Sequence, residues 1–182
     1  NKYYLITEIK EIDKWIKEAE EVGEVAVDTE TSSLDPHQAD LVGVSLCTSI
    51  GKACYIPIGH DSKRCIKRSL VLEKLKPLLE DPSIKKIGQN IKFDYIVFYK
   101  HGITLNSMED TMLMSYVLDA GKNRHNMDTL SEIHLGHKTI SYKDLVGTGK
   151  KEINFREVDV EKARDYASED ADITFRLYKK FY

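Results

Sequence analysis

Val25-Ala-Val-Asp28-Thr-Glu30-Thr31 is the stretch on which the fold turns. The apolar run over 24–29 predicts a strand covered on both faces rather than one alternating between core and water. Side chains two apart on a strand point to the same side, so Asp28 and Glu30 leave the sheet together. Two carboxylates at the exit of a buried strand are costly unless a cation is held there. Hard divalent ions such as Mg²⁺ favour oxygen ligands of this kind. Taken alone, an Asp-x-Glu pair is also explained by a solvated strand end.

Outward from this run, residues 3–6 read as a short strand. A helix follows, capped by Thr7, with Ile9, Ile12, Ile16 and Ala19 on one face and an end near Gly23. Residues 32–40 form a turn-rich loop around Asp35-Pro36. Strands over 41–47 and 53–58 are joined by a hairpin at 49–52. A helix over 70–80 contains Pro77, and 84–88 is another strand. Helical patterns follow at 91–101, 109–119, 127–134 and 157–181. Strands concentrated before residue 90 and helices after it predict an α/β layered domain, with a mixed central sheet flanked by helices and a helix-rich C-terminal half. No repeat or linker divides residues 1–182, so one domain is expected.

The composition fits a folded chain of that size. Of 182 residues, 41% are hydrophobic and 31% charged, which excludes a disordered segment. No apolar run is long enough for a membrane span, and Asn1-Lys-Tyr-Tyr does not open a secretion signal. A start at Asn1 rather than Met reads as a piece cut from a longer chain. Cys47, Cys54 and Cys65 form no CxxC pair and cannot all be paired, so a reducing compartment is expected, with Cys47 and Cys54 as small core residues. The net charge of −3 excludes binding by bulk positive charge, but a local strip or a bound metal can still hold an anion.

Two further segments carry acids. In Lys86-Ile-Gly-Gln-Asn90-Ile-Lys-Phe-Asp94 a strand ends at Gly88 and Asp94 falls in the first turn of a helix, where the helix dipole already favours it. In Tyr166-Ala-Ser-Glu-Asp170 the i, i+4 spacing stacks a phenol and a carboxylate on one helix face. Glu169 and Asp172 point away from that face and read as surface charge. Carboxylates converging from a strand end, a helix start and a late helix imply two bridged cations, an arrangement that catalyses displacement at phosphorus.

Val-Asp28-Thr-Glu30-Thr, Gly-Gln-Asn90-Ile-Lys-Phe-Asp94 and Tyr166-Ala-Ser-Glu-Asp170-Ala-Asp resemble the three exonuclease motifs of the DEDD superfamily, tyrosine branch. More narrowly, the chain is similar to the 3′→5′ proofreading domain of bacterial family A polymerases. Leu78-Leu-Glu-Asp, Arg124-His-Asn-Met-Asp128 and Leu135-Gly-His-Lys-Thr-Ile140 leading to Gly147-Thr-Gly-Lys150 extend the likeness over nearly the whole chain.

The resemblance implies a ribonuclease H-like fold and hydrolysis of DNA from its 3′ end, releasing 5′-mononucleotides and preferring single-stranded or frayed ends. It also implies two divalent ions, Mg²⁺ or Mn²⁺. Asp28, Glu30 and Asp170 would hold the first; Asp28 would bridge to the second, on which Asp94 acts through water. Tyr166 would orient the attacking water with Glu30. Leu34 and Tyr142 match positions that pack on terminal bases, with Tyr142 expected in a loop. Gln89, Asn90 and Arg124 match polar positions near the strand. Phe93 stands where some relatives carry tyrosine, so a contact made by that hydroxyl is absent. A monomer in the bacterial cytoplasm is implied, with a polymerase domain in the parent chain.

Other features carry less. Gly147-Thr-Gly149-Lys150 lacks the earlier glycine and the Ser/Thr of a phosphate loop, and reads as an exposed loop. His134-Leu-Gly-His137 has no companion cysteine for zinc. Lys63, Arg64, Lys67 and Arg68 read as a solvated surface. The rival functions are RNA trimming of the ribonuclease D type, which the flanking matches disfavour, and a non-catalytic nucleic-acid-binding module, which the complete acid set disfavours.

Overall fold

The computed structural model describes residues 1–182. Six strands form one mixed sheet: β1 (Lys2–Leu5), β2 (Glu24–Thr31), β3 (Leu41–Ser49), β4 (Lys52–Pro57), β5 (Lys85–Gly88) and β6 (Met108–Asp110). Their spatial order is β1-β4-β3-β2-β5-β6. The segment β2-β3-β4 is an antiparallel meander, and β1 lies parallel to β4. On the other side β5 and β6 extend the sheet parallel to β2. The helices are α1 (Ile12–Val22), α2 (Arg68–Glu80), α3 (Ile91–Tyr99), α4 (Thr111–Asp119), α5 (Met127–Leu135), α6 (Tyr142–Val146) and α7 (Val160–Phe181).

The strand β2 is covered on both faces, as its apolar run requires. Val25 and Val27 join the larger core beneath α1, α2 and α3, with Ile12, Trp15, Leu75 and Phe98. Ala26 points the other way, into the layer under α7 with Ala171, Phe175 and Tyr178. Strand parity then fixes the chemistry, because Asp28 and Glu30 lie on the Ala26 side and face α7, while Thr29 faces α3. Glu30 stands opposite Gly43 on β3. A Cβ on Gly43 would fall 2.0 Å from the Tyr55 hydroxyl, so only glycine admits that buried ring beside Glu30.

Several expectations need correction. The helix expected to be capped by Thr7 begins with a 3₁₀ turn, Ile9–Glu11, capped by a Glu8/Glu11 box. The helix expected over 109–119 is two elements, the edge strand β6 and then α4. Tyr142 opens the short helix α6 instead of lying in a loop.

Glu169 and Asp172 are not surface charges; both are buried. Asp172 accepts hydrogen bonds from the Tyr3 hydroxyl at 2.7 Å, the Gly51 amide at 2.8 Å and Arg176 Nε at 3.0 Å. It ties β1 and the β3–β4 hairpin to α7. Glu169 accepts from the Ile140 amide at 2.7 Å and pairs with His137 Nε2 at 3.2 Å. Buried carboxylates of this kind are tolerated because their oxygens are hydrogen-bonded. All three cysteines are free, Cys47 and Cys54 in the core. No helix is long and apolar enough to cross a membrane.

Candidate active site

The principal cleft opens at the C-terminal end of β2 and encloses about 870 Å³. Its acids are Asp28, Glu30, Asp94, Asp128, Glu152 and Asp170, and no Lys or Arg lines it. Carboxylate oxygens of Asp28, Glu30 and Asp170 all lie within 4.8 Å of one another. Asp170 reaches them from α7, because parity turns the β2 pair toward that helix. Asp94 approaches from the opposite face of the strand. It is buried at the start of α3, and its Oδ1 accepts the Thr29 amide at 3.0 Å and the Thr29 hydroxyl.

The electrostatics follow from crowding like charges in a dry place. Burial pushes the Asp28 carboxyl up to about 7, opposed by hydrogen bonds from Glu30 and the Thr29 backbone. Glu30 is raised by burial and then by the charges of Asp28 and Asp170. Asp94 and Asp170 are raised by burial and then by Asp28. Without a cation, the cluster therefore retains protons that isolated carboxylates would lose at neutral pH. The oxygen-only donor set, its close spacing and the lack of any basic partner fit hard divalent ions.

Tyr166 sits one turn before Asp170 on α7 and also lines the cleft. Its phenol is held far above its ordinary range by burial and then by Asp170 and Glu30. Tyr142, Phe155 and Tyr166 form an aromatic wall. The rings of Tyr142 and Phe155 are parallel at 6.3 Å, and Tyr166 lies 5.8 Å from Tyr142 and 6.2 Å from Phe155. Leu34, 89% exposed in the loop after β2, also lines the cleft.

Gln89 and Asn90 line the cleft at the β5–α3 junction. Asn90 adopts φ +56°, and its amide donates to Asp110 Oδ1 at 2.9 Å. Asp110 also accepts from Met112 N at 2.9 Å, so one carboxylate caps both α3 and α4. Gln89 Nε2 donates to the His125 carbonyl at 2.9 Å. Arg124 is exposed and lies outside the lining, one residue before His125.

The structure thus brings nine of the ten expected residues into one cleft and leaves Arg124 outside its lining. Asp128, Glu152 and Phe155 belong to the lining but were not singled out as site residues. Asp128 lies inside the quoted Arg124–Asp128 match, and its Oδ1 accepts the Thr139 hydroxyl at 2.6 Å. Glu152 and Phe155 follow a glycine-rich turn with no periodic pattern to betray them.

The family model described as 3′-5′ exonuclease matches residues 3–182. The chain belongs to the 3′-5′ exonuclease family. Its sequence is 43% identical to DNA polymerase I of Rhizobium leguminosarum over 97% of this chain and 19% of the relative. It is likewise 43% identical to DNA polymerase I of Pseudomonas aeruginosa, over 97% of this chain and 20% of that protein. This exonuclease thus spans about a fifth of the length of the curated relatives it matches. Among solved structures it resembles Brucella melitensis NrnC with bound Mg²⁺, at 26% identity and TM-score 0.66, covering 87% of this chain and 71% of that one. The mixed sheet with α7 across one face is a ribonuclease H-like arrangement.

Proposed function

We propose that residues 1–182 act as one 3′→5′ exonuclease domain of a DNA polymerase I-type parent chain. It removes 5′-mononucleotides from single-stranded or mismatched 3′ ends of DNA with two divalent ions, Mg²⁺ or Mn²⁺. The observation that carries this reading is a cleft with six acids and no basic side chain in a chain of this family. Such a cleft repels a phosphate backbone unless cations reverse its sign.

Asp28, Glu30 and Asp170 would hold one ion; Asp28 would also hold the other, with Asp94 acting on it through water. When bound, such ions supply water activation and charge stabilisation at the phosphoryl group. The Tyr166 hydroxyl keeps its proton and orients the attacking water by hydrogen bonding together with Glu30. Leu34 and the Tyr142 ring pack against the terminal bases, holding the unpaired end against the acids. Gln89 and Asn90 offer amides to the strand, and the exposed Arg124 offers charge two residues before cleft-lining Asn126. Because apolar and aromatic packing accepts any base, the site reads no sequence.

The test is digestion of end-labelled DNA as single strands, 3′-mismatched duplexes and paired duplexes, with single-stranded RNA as a further arm, in Mg²⁺, Mn²⁺ or chelator. Single-stranded DNA should be cut fastest, then mismatched, then paired ends. Activity in chelator, or in the Asp28→Ala/Glu30→Ala protein, would overturn the metal-dependent reading. Faster cutting of RNA would favour the ribonuclease D-type alternative.

A further inference from the structure

The outward face of α4 carries Leu113, Tyr116 and Val117, all exposed, at i, i+3 and i+4. Tyr116 differs from its neighbours in being fixed. Its ring stacks on His125 with centroids 3.9 Å apart and planes 27° from parallel. The His125 ring is buried and pinned through Nδ1 to the Ser115 hydroxyl at 2.7 Å. Tyr116 nevertheless remains about half exposed.

The backbone ties this stack to the cleft. The His125 carbonyl receives Gln89 Nε2, and the next residues, Asn126 and Met127, line the cleft themselves. Arg124 lies exposed on the other side of His125. A rigid aromatic face packed on His125, with Arg124 next in the chain on one side and cleft-lining Asn126 on the other, has the chemistry of a single-stranded nucleic-acid subsite: stacking on a base and charge for a phosphate. An exonuclease engages a terminus, so strand emerging from its cleft can only be the part upstream of the bond being cut.

We infer that Tyr116, held by His125, is a stacking platform for a base of the single strand upstream of the scissile phosphate. This rests on the proposed exonuclease reading and adds a subsite outside the acid cleft. The platform adds affinity for longer strands and nothing for a substrate too short to reach it.

The test compares a dinucleotide with a single-stranded DNA decamer in Mg²⁺, using wild type, Tyr116→Ala and Tyr116→Phe. In the wild type the decamer should have the lower KM. Tyr116→Ala should raise the decamer KM by roughly 5- to 150-fold, the equivalent of about 1–3 kcal/mol per stacked base at 1.4 kcal/mol per tenfold. The decamer-to-dinucleotide ratio of kcat/KM should fall with it. Tyr116→Phe keeps the π-face and should restore both. A 2-aminopurine placed upstream in the decamer should be quenched on binding wild type and less so on Tyr116→Ala.

An unchanged length ratio in Tyr116→Ala overturns the platform, as does an equal loss on both substrates. Failure of the wild type to cut either substrate overturns the platform and the exonuclease reading together. Melting temperatures of the variants confirm that the comparison is made between folded proteins.

Discussion

Thr29, the residue between the two acids of β2, holds the third acid in place: its amide donates to Asp94 Oδ1 at 3.0 Å and its hydroxyl donates to the same oxygen. Strand parity explains the geometry. Asp28 and Glu30 face α7, so Thr29 faces α3, and Asp94 is drawn against the back of the strand whose exit carries the other carboxylates. One Asp94 oxygen is committed to Thr29.

Thr29→Val should therefore weaken the site without touching an acid. The amide contact survives and the hydroxyl contact is lost. Groups that orient ligands in this way typically contribute about 10–100-fold in metal affinity or activity. The expected result is a raised Mg²⁺ requirement for hydrolysis. An Mg²⁺ titration of activity superimposable on wild type would mean that Asp94 needs no such support.

Tyr166→Phe isolates the hydroxyl. Its pKa is pushed up, away from neutrality, by burial and by Asp170, so it cannot serve as a base and acts only by hydrogen bonding. Turnover should fall by roughly 10- to 1,000-fold while Mg²⁺ binding and melting temperature stay close to wild type. A stability loss with turnover preserved would instead mark Tyr166 as a packing residue.

Metal and protons should compete. Burial raises Asp28 to about 7 in the fold, and Glu30, Asp94 and Asp170 move the same way. A carboxyl whose folded pKa lies above its unfolded value, about 3.9 for Asp, favours the fold while protonated. That contribution is complete below the unfolded pKa and is lost as pH rises through the folded one. In chelator, stability should decline as pH rises from about 4 to about 7. Added Mg²⁺ should restore it, with a melting-temperature gain that grows with pH and a release of protons on binding measurable by calorimetry in buffers of different ionisation enthalpy. A gain independent of pH would show that the acids are already ionised without metal.

The parts of this fold written in local periodicity were legible before the structure. The period-two logic of β2 placed Asp28 and Glu30 together, and the i, i+4 spacing placed Tyr166 with Asp170. The Thr29–Asp94 contact joins residues 65 apart, and no local pattern encodes it. Glu169 and Asp172 leave the Tyr166 face of α7 without meeting water, which sequence spacing alone does not show. That helix packs against the sheet and against α5, with Leu130 packed with Ile173 and Leu177, so Glu169 and Asp172 are buried there and hydrogen-bonded. The strand β6 is three residues long, too short to show alternation, and is defined by pairing with β5.

Glu169 gives the last prediction. Its carboxylate holds the Ile140 amide and His137, fixing the segment that leads two residues later into α6 and Tyr142. The same segment anchors the cleft acid Asp128 through Thr139. Removing the acceptor in Glu169→Ala takes the hydrogen bond from the part-buried Ile140 amide, at a cost of about 0.5–1.5 kcal/mol, and the melting temperature should drop accordingly. Glu169→Gln retains an oxygen for Ile140 and should lose less. If the segment serves to present Tyr142, Glu169→Ala should raise KM for single-stranded DNA while kcat stays within about threefold, since Asp170 and its neighbours remain. A fall in kcat at constant KM would place the role of Glu169 with the acids and not with the aromatic wall.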